Sequence, residues 1–194
     1  MNRMFSALLP VALVAAVPAI AQNHGSSDVH GAATQAPPPY SGMEARRVKA
    51  LSDEQIADLE AGRGMGMALA AELNLHPGPS HVLELAEALG LTDDQRSRTK
   101  ELLFRMKAET IPIGKRVVRE ETELDRLFAE KKIKLKSLAE AIGRIADVQG
   151  ALRLAHLRYH LEMAESLTHE QINRYSELRG YTGQADQARQ RHPL

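Results

Sequence analysis

The chain has no cysteine and no tryptophan, and its aromatic content is 4%. Without cysteine there can be no disulfide, no thiolate metal site and no lipid attached through sulfur. With so few aromatics the core must be built from Leu, Ile, Val, Met and Ala, a set that favours helices over sheets. An excess of one charge is missing as well, since 25 Lys and Arg balance 25 Asp and Glu. That balance gives no basic footprint for a nucleic acid. Catalytic groups are equally scarce: the serines fall at helix starts or in loops, and no carboxylate pair sits in a recognisable catalytic setting. No enzyme is expected. The glycines at Gly62-Arg63-Gly64-Met65-Gly66 have no preceding strand and no Gly-Lys-Ser/Thr ending, so they read as a turn and not as a phosphate loop.

A run long enough to span a membrane is also missing. The apolar stretch Met4 to Ile20 is broken by Pro10 and Pro18 and is shorter than the roughly 20 residues a spanning helix needs. Behind Arg3 and ending in Ala19-Ile20-Ala21, it has the form of a cleavable secretory signal at residues 1–21. Cleavage after Ala21 removes Arg3, leaving 24 basic side chains against 25 acidic ones, a net charge of minus one and no membrane span. Residues 22–42, with the run Pro37-Pro38-Pro39, read as a disordered or extended leader, and residues 182–194 as a flexible tail. The leader histidines His24 and His30 are expected to be solvated.

What the chain does have is one pentapeptide three times over: Leu51 to Gln55 (LSDEQ), Leu91 to Gln95 (LTDDQ) and Leu167 to Gln171 (LTHEQ). Each places a hydroxyl at a helix N-cap and a glutamine three residues on, so two orphan backbone donors can be satisfied reciprocally. Helices are therefore predicted from Ser52 to about Ala61, from Thr92 to about Glu130, and from His169 to Leu178. Residues 43–90 read as a module of short helices: besides the first, a helix over Met67 to Leu73, a break at Asn74 to Pro79, and Ser80 capping a helix over Val82 to Leu89 that Gly90 ends.

Residues 91–181 carry the main architecture. Leu103, Met106, Ile113, Val117, Leu124 and Phe128 recur as one apolar stripe, with Pro112 predicting a kink near residues 108–112. Lys131-Lys132-Ile133-Lys134 reads as a hairpin turn. The returning helix, Leu135 to about Ser166, carries Leu138, Ile142, Ile145, Gln149, Leu152, His156, Tyr159 and Met163 in 4-3 alternation, a seam for an antiparallel partner. A second stripe, Leu154, Leu157, Leu161 and Ala164, lies about 100° round that helix, available to the short N-terminal helices or a second subunit. The fold class is all-α: a long antiparallel helical hairpin with capping-box starts, plus short N-terminal helices.

Two Leu-Thr-x-x-Gln motifs flanking a long helical hairpin behind a signal peptide resemble the Spy/CpxP family of periplasmic proteins. Leu91, Thr92, Gln95, Leu167, Thr168 and Gln171 carry the resemblance, which covers about residues 82 to 181. It implies a cradle-shaped antiparallel homodimer in the periplasm that holds unfolded or envelope proteins without ATP, or senses envelope stress, in some cases with an inner-membrane partner. Met106, Ile113, Val117 and Leu124 are the candidate client-binding residues. The added module before Leu91 departs from the compact chaperones.

A second chemistry is written on the returning helix. His156, His160 and Met163 lie four and seven residues apart, within about 60° on one face. Imidazole with thioether suits copper, zinc, nickel or cobalt better than magnesium or calcium. Across a turn centred near residue 132, Met106 and Glu109 lie at the level of His156, while His76 and His81 join only if the N-terminal module packs at that end. The other reading of these histidines is structural, since a third strong ligand is missing from the helix itself. No cofactor is required by the main reading, and the metal-sensing relatives CnrX and ZraP make a metal sensor or buffer the alternative.

Overall fold

The computed structural model describes residues 38–181; the segments read as signal and tail, and most of the leader, lie outside the described residues. Among the described residues the protein is mostly helical, with six α-helices and no strand. They are α1 (Asp53–Glu60), α2 (Leu69–Glu72), α3 (Pro79–Glu84), α4 (Asp93–Ala129), α5 (Leu135–Glu165) and α6 (His169–Leu178), preceded by a 3-10 turn at Met43–Ala45. No helix among them is long and apolar enough to cross a membrane.

The helices start where local chemistry allows. Ser52, Thr92 and Thr168 each accept a hydrogen bond from the backbone N–H three residues on, and Gln55, Gln95 and Gln171 each accept one from the cap residue's own N–H. Both bonds use donors that a helix start would otherwise leave without partners. Helix α4 runs through Pro112 as one element. Residues 130–134 then turn the chain, with Lys131 in the left-handed region at φ 54°.

Helices α4 and α5 lie along one another, and α1, α2 and α3 pack against them at the end remote from the turn at residues 130–134 or along their flank. Pairs across the two long helices fall in opposite order: Arg105 with Glu162, Glu109 with Arg158, and Glu120 with Arg144. The two therefore run antiparallel. Their buried stripe is Thr99, Leu102, Met106, Thr110, Gly114 and Val117 on α4. On α5 it is Ala141, Ile145, Val148, Leu152, Ala155, Tyr159 and Met163.

This register differs in detail from the one read off the sequence. Phe128, Ile142 and Gln149 are exposed, while Ala141 and Val148 are buried. The 4-3 pattern drifts round a helix of 3.6 residues per turn, so several adjacent positions compete for the seam, and small residues permit closer approach. Thr99 and Thr110 enter the stripe because each hydroxyl donates to the carbonyl four residues back, at 2.7 and 2.8 Å. The second α5 stripe remains largely outside, with Leu154 and Leu161 exposed. The N-terminal module instead covers the side of α5 that carries His160.

The short helices also differ from expectation. Helix α2 is confined to Leu69–Glu72 because Met65 and Gly66 adopt positive φ just before it. Helix α3 begins at Pro79, not Val82, and ends at Glu84, not Leu89. Proline suits a first helical position, where its missing N–H is not needed, so Gly78 is the cap and Ser80 lies within the helix.

Two apolar clusters hold the assembly. One joins Val82, Ala86, Leu89 and Leu91 to Leu102, Met106, Tyr159, Met163 and Tyr175; the other joins Leu59 to Val117, Val148 and Leu152. Burial at about 25 cal/mol per Å² makes such clusters the main driving force.

Candidate functional site

The two flanking pentapeptides meet in space. The Gln95 amide nitrogen donates to the Gln171 carbonyl oxygen at 2.8 Å, and the Gln171 amide nitrogen donates back to Gln95 at 3.0 Å. Gln95 also donates to the Ser166 carbonyl, and Gln171 to the Leu89 carbonyl. Each glutamine thus caps its own helix and clasps the other's. Gln55, in the third copy, caps alone. Leu91 is buried in the first cluster and Leu167 packs against it.

Near the opposite side of that cluster, the module brings two of the three candidate metal ligands to a cavity of about 430 Å³ that is shared by His81, Met106, Lys107, His156 and His160. The loop around Gly62 to Gly64 and the Gly78-Pro79 step close its walls. Gly78 is required there because a Cβ would lie 2.8 Å from the His160 ring. A larger cleft of about 890 Å³ at the start of α6 has no buried ionisable group in its lining.

The histidines are held in one sense. His156, 2% exposed, directs Nδ1 to the Leu152 carbonyl at 3.0 Å. His160 directs Nδ1 to the His76 carbonyl at 2.7 Å. A carbonyl only accepts, so Nδ1 carries the hydrogen in both rings, and Nε2 of the neutral form keeps its lone pair. Nε2 of His156 is buried without any partner, which is uncommon in a folded protein. Burial pushes the His160 pKa below its ordinary value, against the opposing pull of the His76 carbonyl and Glu72.

Behind the cavity is a carboxylate that the sequence reading passed over. Glu72 is buried and accepts hydrogen bonds from the Gly78 N–H at 3.2 Å and the Tyr181 hydroxyl at 3.2 Å, and a short one from the Tyr175 hydroxyl. His81 Nδ1 lies 3.3 Å from it, and His160 Nδ1 and Arg179 lie 3.7 and 3.9 Å away. One side chain therefore ties α2, α3, α5 and the end of α6 together. Burial, then the bond to Glu72, pushes the Tyr175 phenol well above its usual range. The signal available was an isolated acid within the apolar segment Leu69 to Leu73.

The remaining candidates are dispersed. Met163 is fully buried in the first cluster and does not line the cavity. Glu109 is engaged by Arg158 and by the Tyr159 hydroxyl at 3.0 Å, with both Arg105 and Arg158 stacked over the Tyr159 ring. Among the described residues, no group of three or more His, Cys, Asp or Glu side chains is gathered to hold a metal ion. Of the candidate client contacts, Met106 and Val117 are buried, Ile113 packs against the second cluster and Leu124 is half-buried. The uncovered apolar side chains of the long helices are others: Phe104, Phe128, Leu135, Ile142, Leu154 and Leu161. In comparisons with known proteins, no family model, no curated protein and no solved structure matches the chain.

Proposed function

We propose that the chain binds other proteins in the periplasm without catalysis, in the manner of the Spy/CpxP chaperones that its motif spacing resembles. The observation that supports this is the large apolar side chains left uncovered on α4 and α5, with Phe104 68% exposed, Leu154 66% and Leu161 53%. Exposed Arg105, Lys107, Arg153 and Arg158 are interleaved with them. Apolar and cationic groups on a rigid helical pair offer weak, non-directional contacts, which suit unfolded segments of varied sequence. Export behind residues 1–21, a homodimer and an inner-membrane sensor partner belong to the same proposal.

Light scattering of a heat-unfolding test enzyme checks it. The wild type is expected to slow aggregation near equimolar ratio, and the Phe104→Ser/Leu154→Ser/Leu161→Ser variant to lose most of that effect with its melting temperature nearly unchanged. Equal protection by both proteins, or none by either, refutes the reading.

One observation favours a second reading, metal binding. The buried, unpartnered Nε2 belongs to His156, a residue that lines one cavity with His160 and Met106.

A further inference from the structure

We infer that the cavity between the Gly62 loop, α3, α4 and α5 is a copper(I) site, with Nε2 of His156, Nε2 of His160 and the Met106 thioether as its ligands. This rests on the second reading above and narrows it to one ion and one donor set.

The two imidazoles are prepared for a cation before it arrives. Histidines that ligate metals hand their other N–H to a carbonyl or carboxylate, which fixes both tautomer and ring orientation. Leu152 and His76 supply those carbonyls at 3.0 and 2.7 Å. Neither ring then has to change tautomer to offer Nε2, and neither has to break an existing bond through that atom. The unpartnered nitrogen is otherwise a cost without a return, because a buried polar atom left unsatisfied destabilises a fold.

The third donor comes from α4, not from α5. Met106 and Met163 both belong to the first apolar cluster, but only Met106 also lines the cavity with both histidines. Two imidazoles and a thioether contain only two side chains of the His, Cys, Asp and Glu kind. Such a site is compatible with the absence of any gathered group of three or more of those types among the described residues.

Charge and softness then select the ion. Arg63 and Lys107 line the cavity against a single carboxylate, Glu84, which lies 3.4 Å from the Ser80 hydroxyl. Arg63 is itself paired with Asp58. A wall without surplus negative charge disfavours a divalent ion more than a monovalent one. Thioether sulfur is a soft ligand suited to copper(I), a softer ion than the divalent first-row cations, and imidazole also suits copper.

The test is competition of the purified full chain with a chromophoric copper(I) chelator under a reductant and without oxygen, followed by X-ray absorption at the copper edge. Expected are one copper(I) per chain and a ligand shell of both nitrogen and sulfur. Met106→Leu, which conserves volume, is expected to remove the sulfur shell and to weaken binding by at least the roughly 10- to 100-fold that loss of an outer-shell partner costs, and His156→Gln to weaken it further. Circular dichroism confirms that each variant is folded. Copper(I) bound equally well by wild type and by both variants overturns the site, because the ion is then held elsewhere. Stoichiometric zinc, nickel or cobalt binding lost in His156→Gln, with no copper(I) binding, overturns the copper proposal and leaves the metal reading standing. No binding of any of these ions defeats both.

Discussion

Replacing Gly114 with alanine would move the molecule in the direction opposite to that expected for a helical glycine. In the interior of α4, alanine should stabilise by up to about 1 kcal/mol, because it restricts the unfolded chain and favours the helix. At this position, however, a Cβ would collide with the Leu59 carbonyl oxygen and lie 2.8 Å from its carbon, against an ordinary contact of 3.4–4 Å. The obstacle is backbone at the end of α1, so no rotamer change relieves it, and α1 must retreat by about 1 Å. A gap of that size forfeits up to about half of the contact energy across it. The side chains at stake are Ile56 and Leu59, 1% and 3% exposed, whose burial is worth about 2 kcal/mol each. Losing half of that total, about 2 kcal/mol, and recovering about 1 kcal/mol from the helix leaves a net destabilisation of about 1 kcal/mol, at the low end of the usual cost of overpacking. Thermal unfolding should show a fall of about 2–4 °C. At Gly143 and Gly150 on α5 an added methyl group would meet nothing within 4 Å, and alanine there should raise stability by about 0.5–1 kcal/mol each. A Gly114→Ala protein that melts at or above the wild type, alongside those controls, would refute this packing of α1 on α4.

Other outcomes follow from the buried polar groups. Glu72→Ala strands the Tyr175 hydroxyl and the Gly78 N–H and should cost on the order of 3 kcal/mol in urea unfolding, whereas an exposed control such as Glu54→Ala should stay within about 0.5 kcal/mol. The Gln95→Ala and Gln171→Ala changes should be non-additive in a double-mutant cycle, with a coupling of about 1 kcal/mol that vanishes when Gln55→Ala is paired with either. Tyr175 is held neutral in the fold while the unfolded tyrosine ionises near its ordinary value, so the folded state binds the proton more tightly. Stability due to this group is complete below about pH 10 and declines above it by up to about 1.4 kcal/mol per pH unit. Ultraviolet titration should show the Tyr175 phenolate only as the protein unfolds, and Tyr175→Phe should flatten the alkaline decline.

The parts of the fold legible in the sequence are those that depend on neighbours along the chain. A Ser/Thr-x-x-Gln step satisfies its own donors within three residues, so the starts of α1, α4 and α6 could be read without knowing what packs on them. The seam register could not, because Ile142 and Ala141 are one residue apart and only the partner helix decides which is buried. Pro79 misled for a local reason: a proline ends one helix and begins another with equal ease. The candidate site was half visible. The spacing of His156 and His160 put them on one face, but the carbonyl that orients His160 belongs to His76, 84 residues away. The apolar setting of Glu72 marked it as unusual, while its partners Tyr175 and Tyr181 lie 103 and 109 residues on. Such contacts leave no periodic trace.

The reciprocal amide pair of Gln95 and Gln171 has a consequence for how this sequence can change. Each side chain uses its oxygen twice, for its own cap and for its counterpart, and its nitrogen to bridge outward. Glutamate at either position would remove a donor and set a negative charge against the other carbonyl, and lysine would remove the acceptor that caps the helix. No single replacement reproduces both halves, and no replacement on one side is rescued by a complementary one on the other without surrendering a cap. The two pentapeptides therefore constrain one another, a coupling that Gln55, which caps its own helix alone, does not share.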